Sequence, residues 1–190
     1  AAKCNFTMGP DGKMYSRMLG GNLVRIDVEN ARGENLTNGD LVGTKDGSAY
    51  GLVFDPQDEN VFYFSNNDKH CIYKYDLRTK ECACWAGQEG KSGYLDGPIG
   101  QATFNKPGQM CVDSEGNIIL TDTENHCIRK ITMSTGYVST LAGKPQNSGY
   151  VNGSAEDAQF KKPLGICIDN DDVMYIGDSE NRAIRRLAVE

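Results

Sequence analysis

The chain has 190 residues, including 22 glycines and 9 tyrosines, and a formal net charge of −6 at pH 7. The acidic balance argues against a nucleic-acid partner, which would require a basic face. No run of apolar residues approaches the roughly 18 that a membrane-spanning helix needs. The first residues, AAKCNFTM, lack the basic and apolar regions of an export signal, so we expect such a signal to have been removed or to lie upstream.

Four related units follow one another along the chain. A weak first copy, FTMGPDGKMYSRMLGGNLVRID, starts at Phe6, and a second, YGLVFDPQDENVFYFSNNDKHCIYKYD, starts at Tyr50. The third and fourth, FNKPGQMCVDSEGNIILTDTENHCIRKI from Phe104 and FKKPLGICIDNDDVMYIGDSENRAIRRL from Phe160, align without a gap at an offset of 56 residues. Self-similarity at such a period predicts a repeat architecture.

The third unit shows the strand pattern of the repeat. Its apolar runs at 109–113, 117–121, 127–131 and 137–142 are separated by the turn sequences SEGN, DTEN and MSTG. Short runs between turn residues predict antiparallel strands, and we find no helical period anywhere. Four-stranded units at this spacing are typical of β-propeller blades. We therefore predict an all-β chain with blades at 1–45, 46–101, 102–157 and 158–190, the last lacking its outer strand.

The pattern F-x-x-P-x-x-x-x-x-D-x-x-G-N, followed by D-x-x-N-H-x-I-R-K-I, resembles the NHL repeat. The linker S-G-Y-x-D/N-G before each F-x-x-P is similar to that of bacterial surface and periplasmic NHL proteins. The resemblance implies a propeller, usually of six blades, that serves mainly as a platform for protein, RNA or glycan. It also implies an extracellular, cell-surface or periplasmic location. The other blades would then lie upstream or in a partner chain, unless the four blades close a small ring.

The loops on one face of the propeller are the predicted ligand-binding surface. Because strands alternate in direction, the linkers 93–97 and 149–153 should share a face with the loops 122–126 and 178–182, at the mouth of the axial channel. Loops on a rigid scaffold often carry function, and aromatic rings beside planar polar groups suit a glycan or a protein. The Asp and Asn side chains would alternatively build turns, and each Tyr would pack its loop. The candidate ligand contacts are Tyr94, Asp96, Tyr150, Asn152, Asp122, Asn125, His126, Asp178, Asn181 and Arg182.

Metal binding and catalysis receive weaker support. His70 and His126 occupy equivalent positions, but arginine replaces histidine in the next unit, and zinc needs three or four protein ligands. Asn66, Asp122 and Asp178 recur at one position of three blades, so a ring of oxygens around a calcium ion is an alternative. That arrangement would suit a propeller hydrolase or lyase. We predict no catalytic residue and no cofactor other than this calcium ion.

The seven cysteines are predicted to be small packing residues. Seven cysteines cannot all pair with one another, and a secreted disulfide scaffold would be shorter and have an even count. The positions are Cys4, Cys71, Cys82, Cys84, Cys111, Cys127 and Cys167.

The leading functional hypothesis is therefore a non-catalytic module that presents its loop face to a glycan or a protein. A channel enzyme and a purely structural support for an upstream module are the alternatives.

Overall fold

The computed structural model describes residues 6–18, 21–37 and 50–188. Within these residues the chain forms four antiparallel sheets that follow one another in sequence order. Each sheet is one blade, and strands within a blade pair in the order in which they occur. The predicted all-β propeller of four blades is therefore confirmed. No helix in the described ranges is long and apolar enough to cross a membrane.

Blades 1 and 2 each contain four strands. Blade 1 comprises β1 (Phe6–Met8), β2 (Met14–Arg17), β3 (Leu23–Asp27) and β4 (Arg32–Asn35). Blade 2 comprises β5 (Leu52–Phe54), β6 (Val61–Asn66), β7 (Cys71–Asp76) and β8 (Cys82–Ala86).

Blade 3 gains a fifth strand from the linker that precedes it. Its own strands are β10 (Pro107–Val112), β11 (Ile118–Asp122), β12 (Cys127–Thr132) and β13 (Tyr137–Ala142). The linker strand β9 (Gly97–Pro98) pairs with β13, the outermost strand. The chain thus crosses the outer edge of blade 3 before it enters the innermost strand.

Blade 4 has three strands in the described residues: β14 (Pro163–Ile168), β15 (Met174–Asp178) and β16 (Ala183–Leu187). In blades 3 and 4 a single 3₁₀ turn joins the second and third strands, at Thr123–Asn125 and Ser179–Asn181. Each turn ends at a residue in the left-handed conformation, His126 and Arg182 respectively.

The core lies between the blades. Ile72 of β7 packs with Ala102 and Phe104 from the entry of blade 3, and all three are fully buried. Ile128 of β12 packs in the same way against the entry of blade 4. The phenylalanine of each F-x-x-P sequence therefore fills the space between two blades.

A glycine at the end of each outer strand makes this contact possible. Gly87 has φ +94°, and an added Cβ would lie 3.0 Å from the Phe104 ring. Gly143 has φ +100°, and its added Cβ would lie 3.1 Å from the Phe160 ring. A side chain there would be strained by the backbone and would also displace the ring.

Blade 4 exposes the face that the other blades bury. Ile184 occupies the position of Ile72 and Ile128, which are fully buried, yet its exposed fraction is 76%. Tyr175 is 39% exposed, whereas Ile119 at the equivalent position of blade 3 is fully buried. At both positions every blade compared has a large apolar or aromatic residue. Whether that residue is buried therefore depends on the presence of a neighbouring blade.

Substitution of Phe104 tests the contact between blades. We expect Phe104→Ala to lower the free energy of unfolding by about 3–5 kcal/mol, because it removes apolar contacts and leaves a cavity. Urea denaturation followed by Trp85 fluorescence would measure the change. The matched control is Phe6→Ala, at a residue that is 60% exposed, for which we expect a change below about 1 kcal/mol. Equal losses in the two variants would contradict the assignment.

Candidate functional site

A buried arginine holds each linker to its blade. Arg129, on β12, is fully buried. Its Nη1 donates to Asp122 Oδ2 at 2.7 Å, and its Nη2 donates to Asp96 Oδ1 at 2.6 Å. Because an unpaired charge away from water is strongly unfavourable, the two carboxylates fix the position of the guanidinium.

Two aromatic rings cover the faces of the same guanidinium. The Arg129 Cζ lies 4.9 Å from the Tyr94 ring centroid and 5.1 Å from that of Phe104. The same two nitrogens also donate to backbone carbonyls, Nη1 to Thr103 at 3.2 Å and Nη2 to Leu95 at 3.0 Å, whereas Nε has no hydrogen-bond partner among the described residues. Planar stacking and forked hydrogen bonds are both specific to arginine. We call the group Tyr94, Asp96, Phe104, Asp122 and Arg129 the arginine clamp of blade 3.

Asp122 and Asn125 connect the clamp to the adjacent loops. The Asp122 Oδ1 accepts a hydrogen bond from the Asn105 amide at 2.7 Å, and its Oδ2 accepts one from Asn125 Nδ2 at 2.8 Å. Asn125 also donates to the Gly93 carbonyl at 2.8 Å. Complete burial raises the pKa of the Asp122 carboxyl, and the Arg129 guanidinium opposes that rise. The prediction that Asp122 and Asn125 contact a ligand is wrong, because both are buried and their polar atoms are bound within the protein.

Blade 4 repeats the clamp with one change. The Arg185 Nη1 donates to Asp178 Oδ2 at 3.0 Å. The Arg185 Cζ lies 4.9 Å from the Tyr150 ring centroid and 5.0 Å from that of Phe160. Asn152 stands where blade 3 has Asp96, so Arg185 has a single carboxylate partner among the described residues. Its Nη2 donates to the Val151 carbonyl at 2.6 Å, as that of Arg129 does to the Leu95 carbonyl.

The asparagine of the blade 4 loop has the same structural role as Asn125. Asn181 donates to the Gly149 carbonyl at 2.7 Å and to Asp178 at 2.8 Å. Asp178 is fully buried, so its predicted ligand contact is wrong for the same reason as that of Asp122.

The linkers lie at the outer edge of the propeller, away from the channel. The Tyr94 hydroxyl hydrogen-bonds Thr140 Oγ1 at 2.7 Å, and Asp96 Oδ2 accepts from the Thr140 amide at 3.1 Å. Thr140 belongs to the outermost strand β13. The prediction that Tyr94 and Asp96 gather at the channel mouth is therefore wrong, because the linker first pairs with the outer strand. Among the remaining candidates, Tyr150, Asn152 and Arg182 are exposed.

The oxygens that the sequence suggests as calcium ligands have partners within the protein. The carboxylates of Asp122 and Asp178 are bound to arginines, and Asn66 Oδ1 accepts a hydrogen bond from the Lys69 amide at 3.1 Å. In the ranges that the structure describes, no group of three His, Cys, Asp or Glu side chains is arranged to hold a metal ion.

The two histidines connect neighbouring blades. His70 Nδ1 accepts a hydrogen bond from the Lys106 amide at 3.1 Å, and His126 Nδ1 accepts one from the Lys162 amide at 3.2 Å. Each lysine has a left-handed backbone, with φ +55° and +50°. Neutral imidazole is the form that can accept at Nδ1, so these histidines stabilise the turn that leads into the next inner strand.

A polar cavity of about 430 Å³ lies on the face that carries the 3₁₀ turns, between the loops of blades 2, 3 and 4. We call it the channel mouth. Its lining residues are Tyr50, Asn67, Asp68, Lys106, Thr123, Glu124, Lys162, Leu164, Ser179 and Glu180.

Sequence reasoning missed the lysines and glutamates of the channel mouth. Lys106 and Lys162 recur at the 56-residue offset, as do Glu124 and Glu180. Each lysine immediately precedes a proline of the repeat motif, and each glutamate immediately precedes an asparagine of the motif. The signal that could have found them is repetition of a charged residue beside a loop motif.

Ion pairs and hydrogen bonds hold the channel mouth in place. Lys162 Nζ lies 3.3 Å from Glu124 Oε1 and 3.2 Å from Glu180 Oε1. Thr123 Oγ1 donates to the Pro163 carbonyl at 2.8 Å. Lys106 forms no ion pair with any residue that the structure describes, whereas Lys162 pairs with two glutamates.

Known proteins share both the repeat and the fold. Residues 104–131 match the NHL repeat family. NHL repeat-containing protein 2 of Bos taurus is 30% identical over 104 residues, which cover 54% of this chain and 14% of that protein. The chain thus carries an NHL repeat, at residues 104–131, within its four-bladed β-propeller.

Two solved bacterial structures resemble this NHL-repeat propeller over nearly its whole length. One is described as an auxiliary nutrient binding protein from Bacteroides thetaiotaomicron, with 28% identity and a TM-score of 0.79 over 96% of this chain and 46% of that one. The other, from the same organism, is a protein of unknown function. It is 28% identical, with a TM-score of 0.89, and the match covers 97% of this chain and 46% of that one. The chain thus spans less than half the length of these structures.

Breaking the buried ion pair of the NHL-repeat propeller tests the clamp. We expect Asp122→Asn to lower the free energy of unfolding by about 3 kcal/mol, because Arg129 keeps its buried charge and loses one carboxylate. Chemical denaturation at pH 7 measures the loss. The control Glu34→Gln breaks the exposed pair with Arg25 and should change stability by less than about 1 kcal/mol. A loss for Asp122→Asn as small as that for the control would contradict a structural clamp.

The His70 bridge predicts a pH dependence. Burial lowers the pKa of His70, and the nearby Lys106 lowers it further, against an opposing effect of Asp68. The unfolded chain therefore takes up the proton first, at about pH 6.5, and stability falls as pH drops from there through the lowered folded pKa.

We expect His70→Asn to lose less stability between pH 7 and pH 5 than the wild-type chain. Asparagine keeps an acceptor near the Nδ1 position, tolerates the left-handed backbone and does not titrate. Urea midpoints at the two pH values give the comparison. Parallel loss in both proteins would show that His70 does not contribute.

Proposed function

We propose that this NHL-repeat propeller is a non-catalytic binding module whose channel mouth takes a polar ligand. The first candidate is a glycan, and a segment of another protein is the second. The observation that carries the proposal is the channel mouth itself, where three blades present charged and amide side chains around one cavity.

The groups at the channel mouth are fixed before a ligand arrives. The Thr123 hydroxyl bonds blade 4, the Asn67 amide donates to the Lys106 carbonyl at 3.4 Å, and Lys162 is held by two glutamates. Fixed side chains reduce the entropy lost on binding. The volume of about 430 Å³ lies in the range of known ligand sites.

The charge distribution favours a ligand without strong net charge. Three carboxylates line the channel mouth, from Asp68, Glu124 and Glu180, against two ammonium groups, from Lys106 and Lys162. Interspersed donors and acceptors suit the hydroxyl groups of a sugar or the backbone of a peptide. A strongly anionic polymer such as nucleic acid would meet more negative than positive charge.

The solved structures support a binding role and a location outside the cytoplasm. One solved structure, which is similar over 96% of this chain, is described as an auxiliary nutrient binding protein. We propose on that basis a cell-surface or periplasmic location, where a nutrient glycan would be encountered.

We also propose that the four blades are part of a six-bladed ring. The exposed Ile184 and Tyr175 form a face of the same kind as those buried between the other blades. Further blades, upstream in the same protein or in a partner chain, would cover this face and complete the channel.

An oligosaccharide array followed by calorimetry on the strongest binder tests the proposal. We expect Glu124→Gln and Asn67→Ala each to weaken binding about tenfold or more, since each removes a hydrogen bond to the ligand. The stability of both variants is checked by urea denaturation.

Rim variants provide the matched control. Asn152→Ala and Arg182→Ala change exposed residues that do not line the channel mouth, and we expect affinity within twofold of wild type. If the rim variants lost binding while the mouth variants kept it, the ligand site would lie on the outer loops. Binding to a peptide library but not to the oligosaccharide array would replace the glycan with a protein segment.

A further inference from the structure

Three of the cysteines lie on two adjacent strands of blade 2. Cys71 begins β7, and Cys82 and Cys84 lie on β8, the outermost strand. All three are free thiols. Cys71 is fully buried, whereas Cys84 is half-buried and within reach of solvent.

The register of the two strands brings Cys71 and Cys84 together. Tyr73 pairs with Cys84 and Ile72 pairs with Ala86, so Trp85 is the extra residue of a β-bulge between them. Cys71 lies two residues from Tyr73 and thus on the same face of the sheet. The two cysteines are therefore diagonal neighbours on one face of blade 2.

Contacts with Gly87 show how closely the side chains approach. An added Cβ on Gly87 would lie 3.2 Å from the Cβ of Cys71. The Cys84 thiol donates to the Gly87 carbonyl at 3.7 Å. Both side chains thus reach the same residue from adjacent strands, which brings the two thiols close together.

The environments of the two thiols differ in a way that assigns roles. The neighbouring Cys71 thiol lowers the pKa of the Cys84 thiol, and burial opposes that effect. Cys84 is within reach of solvent, whereas Cys71 is fully buried. A small disulfide therefore reaches Cys84 first, so Cys84 is the attacking residue and Cys71 is the resolving residue.

We propose that Cys84 and Cys71 form an oxidation site that closes to a cross-strand disulfide on reaction with a small disulfide such as oxidised glutathione. The Cys84 thiolate attacks one glutathione sulfur, and the first glutathione leaves as a thiolate that takes up the proton lost by Cys84. Cys71 then loses its proton and attacks the Cys84 sulfur, and the second glutathione leaves and takes up that proton. Two protein thiols are oxidised to one disulfide, and one glutathione disulfide is reduced to two thiols.

The bond would join the outermost strand of blade 2 to its neighbour beside the entry of blade 3. Gly87, which both side chains approach, also lies beneath the Phe104 ring. A covalent link at this point would resist detachment of β8 and of the linker that follows it. An oxidising compartment, such as the one proposed above, would favour the closed form.

The channel contains a second cysteine pair that serves as an internal comparison. Cys111 and Cys167 lie on the inner strands of neighbouring blades. The Cys167 thiol donates to the Tyr175 carbonyl of its own blade at 3.9 Å, and burial raises the pKa of the Cys111 thiol to about 12. We expect this pair to stay reduced under the conditions that close the Cys71–Cys84 bond.

The test treats the folded full chain with oxidised glutathione, alkylates the remaining thiols, digests with trypsin and analyses the peptides by mass spectrometry. We expect peptide HCIYK (70–74) joined to peptide ECACWAGQEGK (81–91), with loss of two hydrogens and with Cys82 alkylated. The urea midpoint of the oxidised chain should be higher than that of the reduced chain.

Matched serine variants identify the sulfur atoms. We expect Cys82→Ser to keep the linked peptides and Cys84→Ser to lose them, with both variants folded by circular dichroism. If Cys84→Ser did not fold, the position of the alkyl group in the wild-type linked peptide, on Cys82 or on Cys84, would decide between the two sulfurs. Stable glutathione on Cys84 without a link, alkylation of both Cys71 and Cys84, or a link through Cys82 would each overturn the proposal.

Discussion

The buried guanidinium of Arg129 is the constraint on which the arrangement of the loops depends. A charge with no access to water must have matched partners, and the clamp supplies Asp122 from its own blade and Asp96 from the linker. Because the linker has to deliver a carboxylate and the Tyr94 ring to that point, its path across the outer strand is fixed. The linker then continues to Phe104, which fills the gap to the preceding blade. In blades 3 and 4 a buried arginine thus fixes the position at which the chain enters the blade.

The clamp also explains why the most conspicuous residues of the repeat are not the ones that face a ligand. The Asp122 carboxylate and the Asn125 Nδ2 group are bound within the protein, and His126 accepts a backbone hydrogen bond from the next blade. The residues that line the channel mouth lie one position away, as Glu124 does between Thr123 and Asn125. In blade 2 both charged members of the clamp are replaced together. Asn66 stands at the position of Asp122, and Tyr73 stands at the position of Arg129. Removing the carboxylate alone would leave a buried positive charge unpaired.

Burial in this molecule is set by neighbouring blades more than by residue type. Ile72, Ile128 and Ile184 occupy one position of three successive units, and the first two are fully buried while the third is 76% exposed. Quasi-linear repeat proteins behave in this way, because each unit completes the core of the one before it. The same dependence makes the channel mouth a product of several blades, since three blades contribute its lining and none of them supplies more than four of the ten residues.

The sequence by itself determined the fold, because strand alternation, turn residues and a 56-residue repeat are local properties that survive without any contact information. Only the tertiary structure decided the candidate site. Whether Asp122 faces solvent or a buried arginine depends on where residue 129 and the linker meet, and nothing in the spacing of the motif specifies that meeting. Similarly, the lining of the channel mouth by Lys106 and Glu124 follows from the packing of three blades, which the sequence of any one blade does not contain.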